Sequence, residues 1–210
     1  MLRQLIILAI LIFPVIVFGQ HIDSTYKNQI KISPFRIVDP VNPGVEISYE
    51  RLHSKRFSTQ LSVAYMTDVF GKFPYTNLRG YRVSLEEKYF IHLSTKARNY
   101  LSADIVYNNS NFKDVTTFRD TINNLNISET FSVNRMTASL NLKFGKQILR
   151  NRFIIDWCVG VGLKYRDVVH SNRTHPMNAP KDPNLFYSAK TEGKNLTFNL
   201  PINLKLGYMF

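Results

Sequence analysis

Five carboxylates and six bases fall on alternate positions of short runs whose intervening positions are apolar. The acids are Glu46, Glu50, Glu86, Asp104 and Asp156; the bases are Arg82, Lys88, Arg135, Lys143, Lys164 and Lys205. Acids and bases interspersed in this way could move protons or neutralise one another. A strand alternates its faces with period 2, so each of these residues shares a face with the other polar positions of its run. If those faces line one enclosed space, near balance is what the space demands, because an unpaired buried charge is very costly. The chemistry expected of the set is mutual pairing in a lumen charge network, not catalysis.

His170, Ser171 and His175 are the other candidates for reaction chemistry. An imidazole and a hydroxyl two residues apart share a strand face and can hydrogen-bond. Lipid A deacylases of the PagL type, themselves eight-stranded barrels, carry such a His-x-Ser pair. In this chain His170 and Ser171 are adjacent, so a strand sends them to opposite faces. A lipid A-modifying enzyme is therefore the alternative reading, and a narrow channel the third. No spacing resembles a metal-ligand cluster, a phosphate loop or a nucleophile elbow. No catalytic residue, metal or cofactor is predicted. Phe73, Tyr75, Arg173, His175, Lys181, Phe186 and Tyr187 fall in long polar connections. Aromatics among cations suit sugar-phosphate head groups or a partner protein, so these are the candidate loop contacts.

The elements that position these residues are alternating strands. Seven such segments run over about 29–37, 44–52, 56–66, 80–90, 98–108, 131–145 and 152–166, and an eighth over 197–210. In the first, Pro34 interrupts and suggests a bulge or an edge-like site. Connections at 53–55, 91–97 and 146–151 are short, whereas three of the four at 38–43, 67–79, 109–130 and 167–195 are long. Short turns on one side and long loops on the other are the asymmetry of a transmembrane barrel. Tyr49, Tyr65, Tyr81, Tyr89, Tyr107, Tyr165 and Tyr208 stand near segment ends in the apolar phase, where interfacial girdles belong. Glu87 shares that apolar phase, which implies either the rim of the barrel or a bulge. Eight strands leave an interior just wide enough for side chains to fill, so an open pore is not the default.

Arg3, the apolar run Leu5–Phe18 and the small residues Val17 and Gly19 read as a secretory signal over 1–19, leaving 20–210 as one barrel domain. Cys158 is the single cysteine, mid-strand, and reads as a buried inert thiol. The formal charge is +12, from 27 Lys and Arg against 15 Asp and Glu. For a secreted barrel the nearer partners of such charge are outer-membrane lipid and lipopolysaccharide phosphates, not nucleic acid.

The closing run TFNLPINLKLGYMF alternates to a final aromatic. It resembles the assembly signal of Gram-negative outer-membrane barrels, and this implies the barrel-assembly machinery as a partner, with Leu204, Leu206, Tyr208 and Phe210 as the recognised residues. The blocks DPVNPGVEISYERL (39–52), FSTQLSVAYM (57–66) and GYRVSLEEKYF (80–90) are similar to a small outer-membrane barrel family seen mainly in Bacteroidetes-type bacteria. That resemblance implies an eight-stranded antiparallel up-and-down barrel akin to the OmpA membrane domain and OmpX, with no family activity to carry over. The expected protein is a monomeric, non-enzymatic outer-membrane barrel with a structural or surface-interaction role through its long loops.

Overall fold

The alternating runs form strands, and the strands close on themselves. The computed structural model describes residues 26–39, 41–67, 76–94, 96–120, 125–173 and 190–210, without side chains at 116–120 and 125–127. The strands are β1 (Asn28–Ile32), β2 (Gly44–Leu52), β3 (Phe57–Thr67), β4 (Thr76–Leu93), β5 (Ala97–Asp120), β6 (Leu125–Arg150), β7 (Phe153–Ser171), β8 (Gly193–Asn199) and β9 (Ile202–Met209). Each pairs antiparallel with its sequence neighbour from β1 to β7, β7 pairs with β8 and β9, and β9 returns to β1. The result is a ring of 8 strands, an up-and-down antiparallel barrel, in which β8 and β9 are two pieces of the last strand. Asn199 stands opposite Gly162 and Ile202 opposite Val159, so the register does not slip across the break. Pro201 causes it: its carbonyl accepts from the Gly160 N–H at 2.9 Å, but it has no N–H to return.

The barrel is inside-out. Ile30 and Ile32 are 47% and 52% exposed while Lys31 between them is 0% exposed, and the same inversion runs round the ring. Val45, Leu61, Leu85, Ile105, Leu142 and Val161 point outward; Glu50, Gln60, Lys88, Asp104, Asn141 and Asp156 are buried. Water penalises such a surface, whereas hydrocarbon favours it. Closure leaves no free sheet edge round most of the ring, the condition for a strand structure in lipid.

One end carries the short connections, 53–56, 94–96 and 151–152, together with both strand termini, where Asn28 and Phe210 exchange backbone hydrogen bonds of 3.2 and 2.9 Å. We call this the turn end. An aromatic belt surrounds it: Tyr49 donates to Asn28 at 2.7 Å, Arg56 donates to Tyr89 at 3.0 Å and Arg152 donates to Tyr208 at 3.1 Å. Tyr65, Tyr81, Tyr107 and Tyr165 form a second belt toward the loop end, with the Tyr81 and Tyr107 rings 6.1 Å apart. Glu87 faces outward opposite Thr59 in an unbroken register close to Tyr89; it lies at the turn-end rim and there is no bulge at it.

Three sequence expectations need correction. The first strand ends at Ile32, and Pro34–Arg36 is a 3₁₀ turn, because the proline ring fixes φ and removes the ladder donor. The stretch 109–130 is not one long loop: β5 and β6 stay paired from Ala97 opposite Ile148 to Asp120 opposite Leu125. The segments 67–79 and 167–195 likewise lose residues to strands, since β4 begins at Thr76, β7 continues to Ser171 and β8 begins at Gly193.

The β5–β6 hairpin changes solvent along its length. From Leu101 and Phe144 to Tyr107 and Ala138 its outward residues are apolar. Beyond them Asn109, Asn111, Lys113 and Asn134 face outward, while Phe112, Phe131 and Val133 turn inward to a buried cluster with Leu78 and Val168.

Candidate functional site

The lumen is built in layers, counted from the turn end. Leu52, Phe90, Ile154 and Met209 are buried there, and Phe90 packs with Tyr100 and Cys158, a free and buried thiol. Above them is a square of two lysines and two carboxylates. Lys31 Nζ lies 2.5 Å from both Glu50 and Asp156, and Lys88 Nζ lies 2.9 and 2.7 Å from the same pair. Tyr100 donates to Asp156 at 2.6 Å, Ser58 to Glu50 at 2.8 Å, and Gln147 to both carboxylates at 3.2 Å. The square is neutral and its oxygens are saturated with donors, as a deeply buried ionic group requires.

Lys143 forms the next layer, 2.8 Å from Glu86 and 2.9 Å from Asp104. Ser102 and Gln60 also donate to Glu86, at 2.7 and 3.1 Å, and Asn141 donates to Asp104 at 2.7 Å. Gly160 leaves room for Lys143 and Gly162 for Asn141, since a Cβ at either would collide with the opposite chain. In the third layer Glu46 meets Lys205 at 3.1 Å, Arg36 at 3.2 Å and Arg82 at 3.7 Å.

Toward the loop end the balance is lost. A cavity of about 400 Å³ is bordered by Arg36, Arg82, Arg135, Lys164 and Arg166, with Asp39 as its carboxylate. Asp39 is engaged in its own turn: it pairs with Arg36 at 2.6 Å and accepts from the Val41 and Asn42 N–H groups at 2.9 and 3.0 Å. Arg135 reaches from β6 across the barrel to this turn, donating to Val41 O at 3.0 Å and Asn42 Oδ1 at 2.9 Å. The chain at Val41 and Asn42 is thus tied to β6 at the border of the cavity. By register, the apolar cluster of Phe112, Val133 and Val168 lies beyond Arg135 and Arg166, toward the loop end.

The eleven charged residues singled out in the sequence all face inward. Ten divide among the layers and the cavity rim as described; Lys164 stands at the cavity without an ion pair among the described residues. Lys31, Arg36, Arg166 and Tyr100 were missed. The signal for Lys31 was present in Ile30-Lys31-Ile32, but the short strand ending in Pro34 obscured it. Arg36 lies in a turn and Arg166 beyond the apolar run, so neither is marked by alternation.

His170 and Ser171 do fall on opposite faces of β7. The His170 Nε2 donates to Lys190 O at 2.7 Å and Nδ1 accepts from Arg173 at 3.2 Å, which occupies both ring nitrogens. Arg173 also lies over the Phe131 ring at 4.9 Å. A second constellation escaped the sequence: His53 Nε2 and Glu87 both contact the Thr59 hydroxyl, at 2.6 and 2.5 Å. The carboxylate holds the hydroxyl and not the imidazole, which is not the nucleophile–base–orienter chain of a triad. Phe73, Tyr75, His175, Lys181, Phe186 and Tyr187 lie outside the described residues. Leu204, Leu206, Tyr208 and Phe210 lie on the outward face of the last strand.

No family profile and no curated protein matches the chain. Among solved structures it is similar to the N-terminal β-barrel domain of Pseudomonas aeruginosa OprF, at 13% identity and a TM-score of 0.39, over 88% of this chain and 98% of that one.

Proposed function

We propose that the chain is a non-enzymatic outer-membrane barrel of a Gram-negative bacterium, whose lumen is a structural ionic core and whose work is done at the loop end. Its turn end faces the periplasm and its β5–β6 hairpin stands above the outer leaflet. The observation that carries this reading is the change of outward residues on that hairpin, from Leu101, Ile105, Leu140 and Leu142 to a mostly polar set, Asn109, Asn111, Lys113 and Asn134, with Met136 and Val115 as the apolar members. The wall passes from hydrocarbon into water there and continues as a paired ribbon. Such a ribbon offers a partner a paired-strand surface, which suits the surface-interaction role expected from the sequence. The finer assignment to a Bacteroidetes-type family rests on the sequence blocks at 39–52, 57–66 and 80–90.

Cysteine labelling tests the topology. In intact cells a membrane-impermeant maleimide is expected to label Asn111→Cys and to leave Ile105→Cys unlabelled; Cys158 is buried and supplies the background. Equal labelling of both positions, or recovery of the chain as a detergent-free monomer, overturns the reading.

A further inference from the structure

The ring is incomplete beside the basic cavity. Toward the loop end β1 pairs with β9 no further than Ile32 opposite Leu206. Beyond it Ser33 Oγ donates to Asn203 and to Leu204 O, and the chain turns away. β8 pairs with β7 alone; among the described residues no strand lies along its other edge. An unpaired edge at membrane depth is tolerated only where it borders protein or a polar cavity. Here it borders a polar cavity. Leu196 is level with Tyr165 of the loop-end belt and Ile202 with Val159, so the gap opens through the half of the wall nearest the loop end.

Two spaces meet at this seam. Inside is the basic cavity. Outside is a groove of about 290 Å³ lined by Phe35, Val38 and Ile202, and both spaces touch Arg36, Asp39 and Ile202. Phe198, Leu200 and Ile202 are 87%, 73% and 65% exposed along the lip. An apolar lip at acyl-chain depth thus leads to a pocket bordered by five cations and one carboxylate, Asp39, which pairs with Arg36; Glu46 in the layer below pairs with Arg36 and Arg82, and Lys164 has no ion pair among the described residues. The turn that Arg135 holds, at Val41 and Asn42, borders the same cavity, and so do Phe198, Leu200 and Ile202 of the lip.

We propose that this seam is a lateral binding site for a phosphate-bearing lipid of the outer leaflet: its phosphate sits among Arg36, Arg82 and Lys164, and its acyl chains lie along Phe198, Leu200 and Ile202. The proposal rests on the membrane placement above and deepens it by naming a ligand class and a site. Charge complementarity selects the occupant. Guanidinium and ammonium groups bind phosphate oxygens through short charge-assisted hydrogen bonds, strongest where water is excluded.

The test uses the mature chain refolded in a neutral detergent, with heat-modifiable migration on a gel as the check that the barrel has formed. Native mass spectrometry then reads adducts with dioleoyl phosphatidic acid, with dioleoylglycerol, and with inorganic phosphate. A one-to-one phosphatidic acid adduct is expected, with no comparable adduct from the other two. Lys164→Glu is expected to weaken it about tenfold, Lys164→Gln less, and Lys164→Arg to retain it. Equal binding of dioleoylglycerol reduces the seam to an apolar groove and overturns the proposal. So does binding of inorganic phosphate as strong as that of the lipid, which makes the cavity a soluble-anion site. Absence of any adduct to a heat-modifiable barrel overturns the lipid site and leaves the membrane reading standing. A chain that is never heat-modifiable and stays soluble without detergent overturns both.

Discussion

At the scale of single residues, the lumen is governed by the cost of leaving a buried charge without a partner. Asp156 is the hinge of the lower layer, accepting from Lys31, Lys88, Tyr100 and Gln147. Asp156→Asn leaves two lysines to share Glu50, and is expected to destabilise the barrel by about 3–5 kcal/mol. Unfolding by urea in detergent micelles measures this. Adding Lys31→Met should recover part of the loss, because Glu50 then faces Lys88 alone. Gly145 is sensitive for a steric reason. It lies opposite Tyr100, and a Cβ there would meet the phenol ring that delivers the hydrogen bond to Asp156. Gly145→Ala is expected to cost about 1–3 kcal/mol in the same experiment, as overpacking commonly does.

At the scale of elements, the pairing of β5 with β6 continues well past the apolar band, from Tyr107 opposite Ala138 to Asp120 opposite Leu125. This extension lies beyond the loop-end tyrosine belt. Replacing residues 116–129 by Asn-Gly, so that Val115 and Thr130 flank a two-residue turn, should preserve heat-modifiable migration, because such a turn matches the twist of paired strands. Loss of the folded band would show that the distal hairpin is needed for barrel formation. The opposite side of the ring follows a different logic. Pro34 ends β1 early and Pro201 splits the last strand, so two prolines, each removing a backbone donor, stand on either side of the same seam. The seam is therefore written into the chain by its two breaks in strand pairing, and the basic cavity lies behind it.

For the molecule as a whole, the distribution of charge matters more than its sum. The layers near the turn end hold Lys31, Lys88 and Lys143 against Glu50, Asp156, Glu86 and Asp104, while the cavity toward the loop end is bordered by Arg36, Arg82, Arg135, Lys164 and Arg166, with Asp39 on its border and Glu46 below it as acids and buried Asp114 and Glu129 farther out. Among the described residues, apolar side chains at the turn end, ionic layers above them and an apolar cluster beyond the cavity follow one another along the axis. Planar-bilayer recordings of the refolded barrel should show no steady conductance. A reproducible ohmic step would mean that the filled lumen opens, and would favour the channel reading over the structural one.

Much of the architecture was legible before the fold was known. Alternation is local: each strand carries its own record of which side faces hydrocarbon, and Val45-Glu46-Ile47 or Leu140-Asn141-Leu142 states it within three residues. Strand identity, the facing of the charged set and the two tyrosine belts followed from that record. It failed where the solvent changes and the rule inverts, as at Asn109 and Phe112, and where a strand is too short to show a period, as around Lys31. Which charge meets which lay beyond it altogether. Lys31 joins Asp156 across 125 residues of chain because β9 closes on β1 in one register, and a different stagger would have paired each with another partner. The ionic square, the tie from Arg135 to Asn42 and the open seam belong to ring closure, a property of all the strands together that no single stretch of sequence contains.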